Sequence, residues 1–101
     1  MTEKIKYKGK DLPVRISYYA IKHFQQETKK TVDEIDEDIS LMEVLFWYAL
    51  EAGCKVEGIE VPIEREEVEL VLDESMNDFL GCFGNFFQGQ QVKEQDQKVK
   101  E

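Results

Sequence analysis

One stretch decides the fold: SLMEVLFWYALEAGCK, residues 40–55. It opens with Ser40 and has Glu43 three residues later, a spacing typical of a capping box at a helix N-terminus. The residues that follow are apolar around nearly the whole circumference of a helix, and such a helix is buried on most sides or is shared with a partner. We therefore predict a central helix over 41–56, capped by Gly58, with Trp47 mostly buried.

On the N-terminal side, polar and apolar residues alternate over 5–7 and again over 12–16. Gly9-Lys10-Asp11 supplies turn chemistry between them, so this segment predicts a β-hairpin. Pro13 cannot donate a hydrogen bond to a strand ladder, which requires an edge or a bulge at that point. An isolated hairpin is marginal in water, and we expect this one to pack on the helices.

Between the hairpin and the central helix, Ser17 is a plausible N-cap for a helix over 18–28. Ala20, Ile21 and Phe24 fall on one face of that helix. Residues 31–38 form a polar connector to the central helix.

The segment 62–72 has two interpretations. Pro62 followed by acidic residues is typical of a helix start, whereas Val68, Leu70 and Leu72 alternate as in a strand. We predict a helix here, and the strand alternative stays open.

A last helix is predicted over 74–88, with Asp73 as its cap. Its apolar residues recur at helical spacing: Met76, Phe79, Leu80, Phe83 and Phe87. Three glycines weaken this helix relative to alanine. The chain then becomes polar, without apolar periodicity.

Together these elements predict an α+β fold, an N-terminal β-hairpin packed on a mainly α-helical body of three to four helices. A length of 101 residues is typical of a single domain. We expect a single small domain over 1–90 and a polar, disordered tail over 91–101.

Positive and negative charges are distributed unevenly along the chain. Residues 1–32 carry eight Lys or Arg against three acids, and residues 33–101 carry five against nineteen, for a net charge of −9. An acidic field repels phosphate, so we expect no nucleic-acid partner. The N-terminus lacks the apolar region of a signal peptide, and the longest apolar run is far short of a membrane span. We therefore expect a cytoplasmic protein that does not bind a membrane.

The sequence offers few candidate catalytic residues. His23 is the single histidine, so no nucleophile–histidine arrangement is favoured. The run DEIDED at 33–38 lacks the glycine and the bidentate glutamate of an EF-hand loop. We predict no enzyme activity, no catalytic residue, no metal site and no cofactor. Cys54 and Cys82 are expected to be reduced and buried.

Aromatic residues make up 11% of the chain, more than a core of this size needs. Aromatic side chains left outside a core usually mark protein–protein contact. The sequence-predicted partner-binding residues are Phe83, Phe86, Phe87, Tyr18 and Tyr19.

Three stretches carry a family resemblance: VRISYYAIKHFQQET at 14–28, LFWYALEAGCK at 45–55 and IEREEVELVLD at 63–73. Over about residues 5–90 the chain resembles the tail assembly chaperones of long-tailed bacteriophages and prophages. The resemblance implies a non-enzymatic protein of the infected bacterium's cytoplasm that is absent from the mature virion. It also implies binding to the tape measure protein, recruitment of tail tube protein, and assembly into a homo-oligomer.

Two other functions stay open. A small virion structural subunit, such as a head–tail connector or a tail-completion protein, would also be small and self-associating. An acidic mimic of nucleic acid is compatible with the charge of residues 33–101, although its acids cluster instead of forming two regular rows.

Overall fold

The computed structural model describes the backbone of residues 2–99 and the side chains of residues 2–35 and 37–84. The α+β prediction is confirmed: an antiparallel hairpin precedes three α-helices. The elements are β1 (Glu3–Tyr7), β2 (Lys10–Val14), α1 (Tyr18–Thr28), a 3-10 helix (Val32–Asp36), α2 (Leu41–Glu57), a 3-10 turn (Arg65–Glu67) and α3 (Val68–Val99).

The hairpin is tighter than the sequence predicted. Lys8 and Gly9 form the turn, with φ of 50° and 78°, and Lys10 already pairs with Tyr7. A two-residue turn with two positive φ angles matches the right-handed twist of the strands. The predicted turn at residues 9–11 is therefore wrong by one to two residues. For the same reason, the second strand begins and ends two residues earlier than the predicted 12–16.

Helices cover both outer edges of the hairpin. The Arg15 amide, just beyond β2, donates to the Ala49 carbonyl of α2 at 3.0 Å, and the Pro13 carbonyl lies against Gly53. On the other side, the Ser75 hydroxyl of α3 donates to the Lys6 carbonyl of β1 at 3.0 Å. The hairpin thus sits between α2 and α3, and its edges are protected from pairing with another chain.

The core lies between one face of the hairpin and the three helices. Its largest fully buried side chains are Phe24, Phe46, Phe79, Ile5, Leu12, Leu45 and Leu50. Trp47 is partly buried and packs against this core. Gly58 ends α2 with a φ of 73°, as predicted.

The predicted capping box at the start of α2 is wrong. Ser40 already has helical backbone angles and makes no capping bond to the helix. Its amide and its hydroxyl both donate to Asp38 Oδ1, at 3.1 and 2.6 Å. The box motif instead forms at Thr31 and Glu34, at the start of the first 3-10 helix. Asp38 is the effective cap because its carboxylate accepts the amide two residues ahead, as an N-cap does.

Asp38→Ala should therefore lower the melting temperature more than Ser40→Ala. The aspartate accepts two hydrogen bonds at the helix start, and the hydroxyl contributes one of those to the same acceptor. Thermal melts of the two variants at pH 7 measure the difference. A larger fall in melting temperature for Ser40→Ala than for Asp38→Ala would identify Ser40 as the cap.

The C-terminal half of the chain differs from the prediction in where its helices start and break. The segment predicted over 62–72 is helical and not a strand, but the helical part starts with the 3-10 turn at Arg65, so the predicted start at Pro62 is wrong by three residues. Asp73 does not separate two helices, because α3 continues through it. The interruption comes at Ser75, where φ is −125° and ψ is 25° and the side chain turns to the Lys6 carbonyl.

Leu80 was predicted on the packed face of this helix and is 41% exposed instead. Ser75, Phe79 and Cys82 lie on the packed face of the helix, which turns Leu80 toward solvent. Cys82 is only partly buried, so the prediction of two buried cysteines holds for Cys54 alone; both thiols are free.

Phe86 and Phe87 lie outside the residues whose side chains the structure describes, and so does the segment 91–101. The predicted tail stays a prediction.

Candidate partner-binding surface

Three aromatic rings form a row across α1 and α2. Tyr19 and His23 lie one helical turn apart on α1, and their ring centroids are 4.3 Å apart. Tyr48 of α2 also stacks on His23, with ring centroids 5.3 Å apart and an interplanar angle of 26°. We call this the Tyr–His–Tyr row.

Carboxylates hold both ends of the row. The Tyr19 hydroxyl donates to Glu51 Oε1 at 2.9 Å, and the Tyr48 hydroxyl donates to Glu27 Oε1 at 2.7 Å. The Arg65 guanidinium donates to the other oxygen of Glu27 and lies 5.7 Å from the Tyr48 ring. Arg65 thereby ties the segment before α3 to α1 and α2.

The electrostatics follow from these contacts. Hydrogen bonding to Arg65 lowers the pKa of Glu27 from 4.5, and the hydrogen bond to Glu27 raises the pKa of Tyr48 from 10.0. Burial, with the Glu51 hydrogen bond, raises the pKa of Tyr19. At neutral pH both tyrosines are therefore neutral donors, and Glu27 is charged.

Glu27→Gln should destabilise the protein at pH 7 and much less at pH 3. The folded-state pKa of Glu27 lies below 4.5, so its stabilisation is full above about pH 4.5 and is lost as the pH falls through the folded value. Its side chain is 37% exposed, and solvent screening keeps the effect to about 1 kcal/mol or less. Urea unfolding of both proteins at the two pH values measures it.

Glu66→Gln is the matched control, because Glu66 is exposed and lies beside Arg65 in the same 3-10 turn. We expect the control to show little loss at either pH. A gap between Glu27→Gln and the unaltered protein that is as large at pH 3 as at pH 7 would contradict the ion-pair explanation.

A groove adjoins the Tyr19 end of the row. It has a volume of about 290 Å³ and is lined by Tyr19, Glu51, Cys54, Lys55, Ile59, Glu60 and Val61. Ile59 is 48% exposed, and the Lys55 amine lies 5.6 Å from the Tyr19 ring centroid. This Tyr19 groove combines apolar surface with charges of both signs, a composition suited to a protein partner.

The predicted partner-binding residues divide between two places. Tyr18 begins α1 and is 79% exposed, with the Lys22 amine 6.0 Å from its ring, while Tyr19 beside it lines the groove. Phe83 is on α3, partly buried, and stacks on Phe79 with centroids 6.3 Å apart.

Sequence reasoning missed most of this surface. His23 was considered only as the single histidine available for catalysis, although its spacing from Tyr19 is the signal for a shared helix face. Tertiary contacts bring Tyr48, Arg65 and Ile59 to this surface, and local sequence patterns do not predict such contacts.

Within residues 2–35 and 37–84, no group of three His, Cys, Asp or Glu side chains is arranged to hold a metal ion. None of the helices, as far as the structure describes them, has the length and apolar character needed to cross a bilayer.

No family model matches this chain, and no curated protein or solved structure matches it significantly.

Proposed function

We propose that this protein is a phage tail assembly chaperone. It is non-enzymatic, binds the tape measure protein, helps to recruit tail tube protein, and self-associates in the host cytoplasm. The observations that carry the proposal are the Tyr19 groove and the exposed ring of Tyr18, the neighbour of Tyr19 in the chain. The groove combines an aromatic ring and apolar side chains with charged residues, and the hydrogen bond from Tyr19 to Glu51 holds the ring in place, on a chain of net charge −9.

The groove suits an apolar helix as a client. An amphipathic helix binds a groove by placing one row of apolar side chains against it. Ile59, Val61 and the Tyr19 ring offer such contact, and Glu51, Lys55 and Glu60 meet polar residues of either charge at its border. The high net charge keeps chaperone and client soluble together.

The state of the thiols supports a non-enzymatic role. Burial raises the pKa of Cys54 above 9.0, and burial together with Glu3 raises the pKa of Cys82 to about 11. Both are therefore protonated at neutral pH and are poor nucleophiles.

A second client contact is proposed on α3, at Phe83, Phe86 and Phe87. Phe83 is the member whose surroundings the structure describes, and it continues the aromatic line of Phe46 and Phe79 toward the end of the core.

Co-purification with the tape measure protein of the same phage or prophage tests the proposal. We expect the tagged chain to retain the tape measure protein, and Tyr18→Ser together with Ile59→Ser to reduce retention about tenfold, roughly 1.4 kcal/mol. Leu70→Ser is the matched control, because Leu70 is 53% exposed on α3 and does not line the groove. Phe86→Ser tests the second contact separately.

Two results would count against the proposal in different ways. Full retention by the double variant would move the binding surface away from the Tyr19 groove. No retention by the unaltered chain would contradict the chaperone function. Detection of the chain in purified virions would favour a head–tail connector or a tail-completion protein.

A further inference from the structure

A second groove lies between the start of α2 and the first turns of α3. It has a volume of about 320 Å³ and is lined by Ile39, Ser40, Glu43, Glu69, Leu72, Asp73 and Met76. None of these residues lines the Tyr19 groove. We call it the acidic groove.

The floor of the acidic groove is apolar and continues along α3. Leu72 and Met76 line the groove on either side of the break at Ser75, and Leu80 follows one helical turn after Met76 to complete an apolar row. Leu72 is buried, Met76 is partly buried and Leu80 is 41% exposed, so the row emerges toward solvent along the helix. Ile39, at the other end, is 66% exposed.

The rim of the acidic groove carries uncompensated negative charge. Glu43 comes from α2, and Glu69 and Asp73 come from α3; all three are exposed. Within residues 2–35 and 37–84, the ion pairs are Lys4–Glu57, Lys6–Asp11, Lys30–Glu34 and Arg65–Glu27. Three carboxylates thus border one apolar row without a cation between them.

We infer that the acidic groove binds a basic amphipathic helix of a partner protein, with apolar residues on one face and Lys or Arg beside them. The apolar row provides the ridge against which a second helix packs its own apolar row. The carboxylates then select flanking cations and disfavour an acidic helix, because like charges repel when an interface brings them together. The inference does not depend on the proposed chaperone function.

Fluorescence anisotropy with three labelled 18-residue peptides tests it. The first is a Leu/Lys helix with all leucines on one face, the second has the same composition in scrambled order, and the third replaces Lys with Glu. We expect the first to bind at least about tenfold more tightly than the other two. We also expect its binding to weaken as salt rises.

Two variants locate the site, each with a matched control. Glu69→Lys and Ile39→Ser should each weaken binding of the Leu/Lys helix about tenfold. Asp78→Lys makes the same charge change at an exposed position of α3 that does not line the acidic groove, and Val56→Ser removes an apolar side chain that is 60% exposed on α2. We expect both controls to bind like the unaltered protein. All four positions are exposed, and circular dichroism checks that each variant stays folded.

Three results would overturn the inference. If Asp78→Lys weakened binding of the Leu/Lys helix as much as Glu69→Lys does, the peptide would be attracted to the acidic surface in general and not to this groove. Equal binding of the scrambled peptide would remove the requirement for an amphipathic helix. A loss of self-association in Glu69→Lys, measured by sedimentation, with unchanged peptide binding would make a second copy of the chain the occupant.

Discussion

Gly53→Ala should lower the free energy of unfolding by about 3 kcal/mol or more. A Cβ atom at Gly53 would lie 2.1 Å from the carbonyl oxygen of Pro13 and 2.5 Å from its carbonyl carbon. Both are backbone atoms of β2, so no side-chain rotation relieves the overlap. The hairpin must move away from α2, which also weakens the hydrogen bond from Arg15 to Ala49.

Gly81→Ala is the matched control. Gly81 lies within α3, and a Cβ atom there would meet nothing within 4 Å. Alanine is the better helix former, so this variant should be more stable by up to about 1 kcal/mol. Urea unfolding curves of the two variants should therefore shift in opposite directions. A shift of the same sign and size would contradict the close approach of β2 to α2.

Phe46→Ala should cost about 3–5 kcal/mol of unfolding free energy. Phe46 is fully buried on α2 and meets Phe79 of α3 edge to face, with ring centroids 5.0 Å apart. Removing the ring leaves a cavity at the place where these two helices meet. Chemical denaturation measures the loss, and Leu80→Ala, at a position 41% exposed, should cost far less.

A double-mutant cycle separates the ring contact from simple burial. Alanine at both Phe46 and Phe79 should reveal a coupling of about 0.5–1.5 kcal/mol, the range measured for aromatic pairs. A coupling of zero would contradict the edge-to-face contact between α2 and α3.

Local patterns were enough to predict the hairpin and the central helix. Alternation around Gly9 predicted the hairpin, and the apolar run after Ser40 predicted α2 with its end at Gly58. These signals depend on neighbouring residues, and the periodicities of strand and helix are properties of the local backbone.

Helix starts and breaks were harder, because several residues compete for the same role. Ser40 and Glu43 have the spacing of a capping box, yet Asp38 accepts the hydrogen bonds that set the start of α2. The break in α3 at Ser75 depends on the Lys6 carbonyl, 69 residues earlier in the chain. The importance of Gly53 likewise comes from Pro13, and spacing along the chain does not reveal either contact.

The candidate surface was predictable only in part. Tyr18 and Tyr19 were named because aromatic side chains exceeded the needs of a small core, and the structure leaves Tyr18 exposed and places Tyr19 at a groove. The other members of the row reach Tyr19 through packing of α1 on α2 and through the Glu27–Arg65 pair. Such contacts follow from the tertiary fold and carry no mark in the local sequence.

The soluble fraction of the tape measure protein, produced in bacteria with and without this chain, tests the chaperone proposal most directly. The proposal predicts that the tape measure protein is found mainly in the pellet when produced alone. With the chain present it should move to the supernatant and co-purify with the chain. An unchanged soluble fraction, with no complex between the two proteins, would contradict it.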